Sequence, residues 1–560
     1  MYTQDFGPVG SSLGLSSIFA VLAVLALFIL LGGLRWAAQW AALTALGIAM
    51  LVAMIVYGMP VDQTALSASE GAAFGLFPIM WIVVTAIWIY NMTVETGHFA
   101  VLRRSFGAIS TDQRVQAVII AFCFGALLEA LAGFGTPVAI TAVMLIALGF
   151  KPIKAAAVAL VANTAPVAFG AIAIPIVTLS EITGLPKEDL GAMVGRQTPF
   201  LALIVPLILI GMVDGARGIR QSWPVAMVGG LVFAVAQFAC SNYISVELTD
   251  IVAALASTAA IVLLLRVWHP SEPLVVEAGA GRFSRPAVAG SEVHDPTMEA
   301  EVKRRDDSVK DPASDVFRAY SPYLIIIAIF SIAQIPAVKD ALAESPWTTT
   351  FQWPGLDVST PDGEALSSLT YNVNWLPAAG TLLLISGVIT MAVLRVSPAR
   401  SVKVLRGSLD QLKWAILTVA SVLALAYVMN QSGQTITLGL WAAGAGDAFA
   451  FLSSLIGWLG VSVTGSDTSS NALFGALQVT AANDAGMSPT LLAAANSSGG
   501  VLGKMISPQN LAIGAAAVGL AGKEGDLFRK VVLWSLVLVL MMCVLVYLQS
   551  TAVLDWMVVK

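Results

Sequence analysis

Apolar residues along this chain fall in long blocks instead of alternating with polar ones. Blocks run at about 15–33, 36–57 and 71–94, then at about 197–213, 223–240 and 248–267. They recur at about 320–338, 375–395 and 411–431, with a last one at about 532–555. Each comes near the roughly 20 residues that carry a helix across a bilayer core. One such block could be a signal or an anchor. A series predicts an all-α polytopic membrane protein, because only helices and closed barrels satisfy every backbone group in lipid. The period-two alternation of a membrane barrel is absent. Two regions, 115–180 and 437–522, are apolar but knotted by Gly, Pro, Ser, Thr and Asn. A polar stretch, 269–318, has mixed charge and scattered Pro and Gly, and reads as a loop dividing the chain.

Composition sharpens this picture. Hydrophobic residues make up 58% of the 560 and charged residues 11%, far below the roughly 25% of a soluble domain. The three cysteines, Cys123, Cys240 and Cys543, lie in apolar runs as small packed hydrophobes. His98, His269 and His294 have no metal-ligand spacing. No metal, cofactor or nucleic-acid partner is expected, and the sequence does not speak to oligomeric state. Basic residues collect on the cytoplasmic side of membrane proteins. Arg103, Arg104 and Arg114 put one loop inside, as do Arg217 and Arg220, Lys303, Arg304 and Arg305, and then Arg395, Arg400, Lys403 and Arg406. The loops near Asp62 and Glu70, near Glu247 and Asp250, and over 339–374 read as outside. Alternation then leaves both termini outside.

The knotted regions resemble each other. In the first, Gly170 and Pro175 lie seven and twelve residues after Asn163; in the second, Gly503 and Pro508 lie seven and twelve after Asn496. Ahead of each comes another break, at Gly133–Pro137 and at Thr464–Ser469. The charge pattern makes the two enter from opposite faces. The expected organisation is therefore a pair of inverted repeats, with about 12 membrane helices, two re-entrant hairpins and broken helices at the midplane. The first repeat covers 1–213, with a hairpin at 115–150 and a broken helix at 155–180. Two extra helices follow at 214–268, then the cytoplasmic loop 269–318. The second repeat covers 319–560, with a hairpin at 437–484 and a broken helix at 489–522. If the hairpin arms cross fully, the span count rises and the parity stays the same.

Broken helices expose backbone N–H donors and a partial positive charge at their N-termini, which suits a carboxylate. Candidate substrate-binding residues are Gly135, Thr136, Asn163, Thr164, Gly465, Ser466, Thr468, Ser469, Asn496, Ser497, Ser498 and Lys504. The same small residues would also permit close helix packing, and for each one alone that alternative stands. Charges inside the membrane are rarer and mark function. Glu129 and Asp467 are candidates to carry a proton; Glu129 could instead pair with Lys504, and Asp467 could cap the following helix. Gly503-Lys504 is not a phosphate loop, because the required first Gly is Ser498 and Met505 follows the Lys. No Tyr-Asp pair occurs, so an intramembrane aspartyl protease is not supported. A channel would show a filter repeat or charged ring. The inverted repeat argues instead for a secondary transporter of a small anion, not an enzyme, with a channel as the lesser alternative.

Three strings carry a family resemblance: Leu128-Glu129-Ala130-Leu131-Ala132-Gly133-Phe134-Gly135-Thr136-Pro137, Thr464-Gly465-Ser466-Asp467-Thr468-Ser469-Ser470-Asn471, and Ser498 through Gly503-Lys504-Met505-Ile506-Ser507-Pro508-Gln509-Asn510. They resemble the bacterial L-lactate permease family over nearly the full chain. The resemblance implies uptake of L-lactate, and of D-lactate or glycolate, together with a proton across the bacterial inner membrane. Lactate and the proton come only from this resemblance. The alternative is a sodium- or proton-coupled carrier of another organic anion such as a dicarboxylate, for which a lone Lys504 offers little positive compensation.

Overall fold

The computed structural model describes residues 2–559 except 35, 108, 132, 134, 275–310, 334, 362, 364–365, 367–368 and 521–522. Most of the expected 269–318 loop, and residues 521–522 at the end of the second expected broken helix, lie outside the described residues. The protein is predominantly helical, and it is apolar on much of its outer surface as well as in its core. The helix Glu524–Gln549 shows why. It buries Val531, Ser535, Leu538, Val539, Met542 and Val546 against the protein, and it exposes Leu533, Leu536, Val537, Leu540, Met541 and Val544. An apolar outer face this long fits a lipid surround and would be an aggregation surface in water. By contrast, Gln113–Leu131 is buried along the whole of its apolar stretch and sits at the centre.

Among the described residues nine helices are long and apolar enough to cross a membrane, or ten if one bent pair counts as a span. This is fewer than the charge alternation predicts, for identifiable reasons. Thr249–Leu264 and Ala379–Val393 were expected as spans but have only 16 and 15 helical residues. The spans expected at 197–213 and 223–240 run together as Pro199–Tyr243, broken only by non-helical backbone at Asp214 and Gly215. The stretch expected as one arm from 437 splits into Gln434–Ala443 and Phe449–Thr464 around a short turn. The 339–374 connection carries an antiparallel ribbon, Thr349–Gln352 with Thr370–Val373. Its Val358–Ser359 strand pairs in parallel with Tyr2–Thr3, so the N-terminus and this connection share one face.

The breaks lie in the middle of the fold. Gly133 (φ 51°) and Gly135 (φ 80°) turn the chain between Gly125–Leu131 and Thr136–Ala147, in a backbone region open to glycine. Gly465 (φ 74°) does the same between Phe449–Thr464 and Asp467–Asp484. Farther on, Pro152–Ala162 stops before Asn163, and the chain resumes as a helix at Gly170 after a bend of 66°. Ala171, Ile172 and Ala173 then take left-handed backbone with φ of 45°, 60° and 57°. In the second half Pro489–Gly500 gives way to a short turn at Lys504–Ile506, and Pro508–Ala517 follows. The breaks are out of phase. Asn163 stands just past its helix, whereas the matching Asn496 lies inside one, a turn before the chain opens.

Candidate functional site

Helix starts converge on one polar cavity of about 230 Å³, lined by residues from both halves. Asp467–Asp484 begins there, with Ser466 as its cap: the Ser466 Oγ accepts from the Ser469 backbone N–H. Pro508–Ala517 begins there too, with Pro508 at its first position and Ser507 Oγ accepting from Asn510 N–H. Ser before Pro is a strong helix start, because the hydroxyl satisfies one free donor and Pro lacks one. Gly170, Ala171 and Ile174 bring the start of the first resumed helix to the same wall. Three helix N-termini around one hollow present N–H groups and partial positive charge to it. At about 30 Å³ per water, the hollow holds roughly seven water-sized groups, enough for a short organic acid.

Two carboxylates and one amine line it. Glu129, 3% exposed, accepts from Lys504 Nζ at 2.7 Å on Oε1 and from Asn163 Nδ2 at 2.9 Å on Oε2. Gly170 packs against this carboxylate; a Cβ there would sit 2.8 Å from Glu129 Oε1. Asp467, also 3% exposed, accepts from Ser497 Oγ at 2.5 Å on Oδ2, and its Oδ1 has no hydrogen-bond partner among the described residues. That oxygen lies over Gly500, where any Cβ would collide with it. With all three groups charged, the cavity carries one net negative charge.

The sequence-predicted residues divide. Gly465, Ser466, Asp467, Thr468, Ser469, Lys504 and Glu129 line the cavity. Asn163 and Ser497 stand one hydrogen bond behind it, through Glu129 and Asp467. Gly135, Thr136, Thr164, Asn496 and Ser498 do not line it. Thr164 turns its hydroxyl to the carbonyl of Val161 at 2.7 Å. Asn496 is held elsewhere, donating to Asn471 Oδ1 at 2.9 Å and accepting from Gln478 Nε2 at 3.1 Å. Asn471 in turn donates to the carbonyl of Pro175 at 3.0 Å, tying the second half to the first broken helix. Gly135 faces Ile513 and Asn510.

Sequence reasoning missed Gln39, Trp414, Thr418, Gln509 and Asn510. Asn510 Nδ2 donates to the carbonyl of Gly465 at 3.2 Å, joining two of the helix starts. The Ser507-Pro508 start could have drawn attention to Gln509 and Asn510. Nothing local marks Thr418 within the apolar run of Pro398–Gln431. Exposure grades along the hollow, from buried Glu129 and Gly170 to exposed Trp414 and Gln509, and Trp40 lies outside it with its ring centroid 6.4 Å from that of Trp414.

A polytopic helical membrane protein with helix starts and an internal ion pair around a central polar hollow has the architecture of a transporter. The chain belongs to the L-lactate permease family, whose model matches residues 16–553. It is 42% identical to an L-lactate permease of Bacillus subtilis, with 100% of both chains covered. It is 40% identical to the glycolate permease GlcA of Escherichia coli over 98% of each, and 41% identical to an L-lactate permease of Salmonella typhimurium over 100% of each. Among solved structures, the Alcanivorax borkumensis YdaH transporter overlaps 86% of this chain and 87% of its own, with a TM-score of 0.45 at 13% identity.

Proposed function

We propose that this protein carries L-lactate and related short 2-hydroxy monocarboxylates, glycolate among them, into the cell together with a proton. Family membership supports the substrate class, since relatives across the full length are named lactate and glycolate permeases. The observation that carries the mechanism is the charge balance of the cavity. With Glu129, Asp467 and Lys504 all ionised it is net negative. Two like charges 4 Å apart repel by about 4 kcal/mol at an effective dielectric of 20. A proton must therefore join one carboxylate before a substrate carboxylate settles. Asp467 is the better resting place, because its Oδ1 has no partner and Glu129 already holds a cation. The substrate carboxylate then meets Lys504 and the N-termini at Ser466–Ser469 and Gln509–Asn510, and Thr468, Ser469 or Asn510 holds its hydroxyl.

Alternating access follows from two inverted repeats, 1–213 and 319–560, moving around this site, with 115–150 and 437–484 as re-entrant hairpins. The protein sits in the bacterial inner membrane with both termini on the periplasmic face. Charge favours coupling to a cation, since moving a lone anion inward costs about 2.3 kcal/mol per 100 mV of negative-inside potential, and the resemblance to the family supplies the proton as that cation.

The test is uptake by the purified protein in liposomes, using labelled 2-hydroxy acids under separate proton and sodium gradients. Saturable lactate or glycolate accumulation driven by protons is expected. Accumulation driven only by sodium, a preference for dicarboxylates, or unitary currents would each replace this reading. If Glu129→Gln keeps full pH-driven accumulation, Glu129 has no part in coupling.

A further inference from the structure

Another of the buried carboxylates lies away from the cavity. Asp250 stands at the second position of Thr249–Leu264 and is 0% exposed. Its Oδ1 accepts from Gln237 Nε2 at 3.0 Å, and its Oδ2 has no hydrogen-bond partner among the described residues. Gln237 is fully committed. Its Oε1 accepts from Thr198 Oγ1 at 3.2 Å, and the same Nε2 reaches the carbonyl of Ala165 at 3.5 Å. Ala165 belongs to the first break, two residues after the Asn163 that holds Glu129.

Other ionisable groups face Asp250 from each side. Glu129, on the neighbouring Gly125–Leu131, is within electrostatic reach of it. Cys240 on Pro199–Tyr243 is within reach of Asp250 as well. Glu247 precedes the helix by two residues; it accepts from Ser245 Oγ at 2.7 Å and pairs with Lys187 at 2.5 Å. The Lys187 side chain is 29% exposed, so this pair marks the water end of the cluster. Neither Asp250 nor Gln237 lines the substrate cavity.

An anchor for Gln237 would need only an amide or a hydroxyl. A carboxyl with one oxygen bonded and the other unoccupied is costly to bury as an anion and is ready to bind a proton. We propose that Asp250 carries the proton toward Glu129 along a route separate from the substrate's, so that Glu129 stands between the substrate cavity on one side and a relay on the other. A hydronium ion at the Lys187–Glu247 end gives its proton to Asp250 Oδ2, forming an O–H bond there and leaving water. The proton then passes through water admitted at the break to a Glu129 oxygen as Lys504 releases it, and Asp250 returns to carboxylate. Hydronium and water are the only co-reactants. This inference rests on the proton-coupled reading above.

The test compares native protein with Asp250→Asn and Asp250→Glu in liposomes, for labelled lactate. Two fluxes are read from pH 5 to 8: accumulation under a proton gradient, and counterflow without one. Asp250→Asn keeps Gln237's partner, so counterflow should stay within about twofold while accumulation falls at least tenfold. Asp250→Glu should restore accumulation with a shifted pH profile. Full accumulation by Asp250→Asn overturns the proposal. Equal loss of both fluxes in Asp250→Asn overturns it too, because that is what a purely structural anchor gives. Native protein that moves no 2-hydroxy acid overturns the functional reading, and this proposal falls with it. Native protein that accumulates lactate while Asp250→Asn matches it removes the relay alone.

Discussion

Glu129 and Asp467 occupy comparable places in the two halves, each beside a helix break, and the protein treats them differently. Glu129 has both oxygens engaged, by a lysine and by an amide. Asp467 has one hydroxyl on one oxygen and nothing on the other. A buried carboxylate with a matched cation is stable as an anion and costly to strand. One with a single neutral partner has less to lose on taking a proton. The difference teaches that the two carboxylates would take a proton at different cost, because at Glu129 the bridge to Lys504 has to open first. Lys504–Glu129 bridges residues 375 apart in sequence and ties the two halves together in this state, whereas a proton on Asp467 would break no such bridge.

The largest effect should come from breaking the matched pair. Lys504→Met strands Glu129 and is expected to cost about 3–5 kcal/mol, seen as a lower thermal unfolding midpoint in detergent, with transport lost. Adding Glu129→Gln should return much of that stability and none of the accumulation. If the double variant is no more stable than the single one, the pair is not the clamp described. Gly500→Ala comes next. Its methyl would push Asp467 off its position, and overpacking of this kind costs about 1–3 kcal/mol. Accumulation should fall with it, and unchanged transport would mean the Asp467 position is unimportant. Asp467→Asn should be mildest in stability, within about 1 kcal/mol, since Ser497 keeps an acceptor. Its signature is functional: counterflow retained, proton-driven accumulation lost. Similar costs in stability for Asp467→Asn and Glu129→Gln, the second of which strands Lys504, would erase the contrast between the two.

What the sequence made legible follows the same division. Charges in apolar runs stand out because lipid tolerates few of them, and Glu129, Asp467 and Lys504 all reach the cavity. The glycine-serine string at 465–469 stands out because helices avoid it, and it lines the cavity too. The pairing of Asn163 with Asn496 misled. The strings match, but the helices stop a turn apart, so one amide holds Glu129 and the other is consumed by Asn471 and Gln478. Spacing alone could not reveal that offset. Asp250 reads in sequence as part of an outer loop; the helix starts at Thr249 and draws it under cover. Gln39, Trp414 and Thr418 were invisible because regular helices carry them, and only packing across the chain decides which face meets the hollow.

The left-handed stretch at Ala171, Ile172 and Ala173 has one more consequence. For residues bearing a Cβ that geometry costs roughly 1–2 kcal/mol each, so this conformation holds elastic energy beside Glu129 like a flexed spring. In the alternating-access reading proposed above, relaxation of this backbone would help the protein leave the present shape for the opposite one. Ile172→Gly removes part of that tension. We expect a thermal midpoint raised by the equivalent of about 1 kcal/mol and a slower turnover at unchanged KM. A faster cycle in that variant would show that the tension hinders motion instead of driving it.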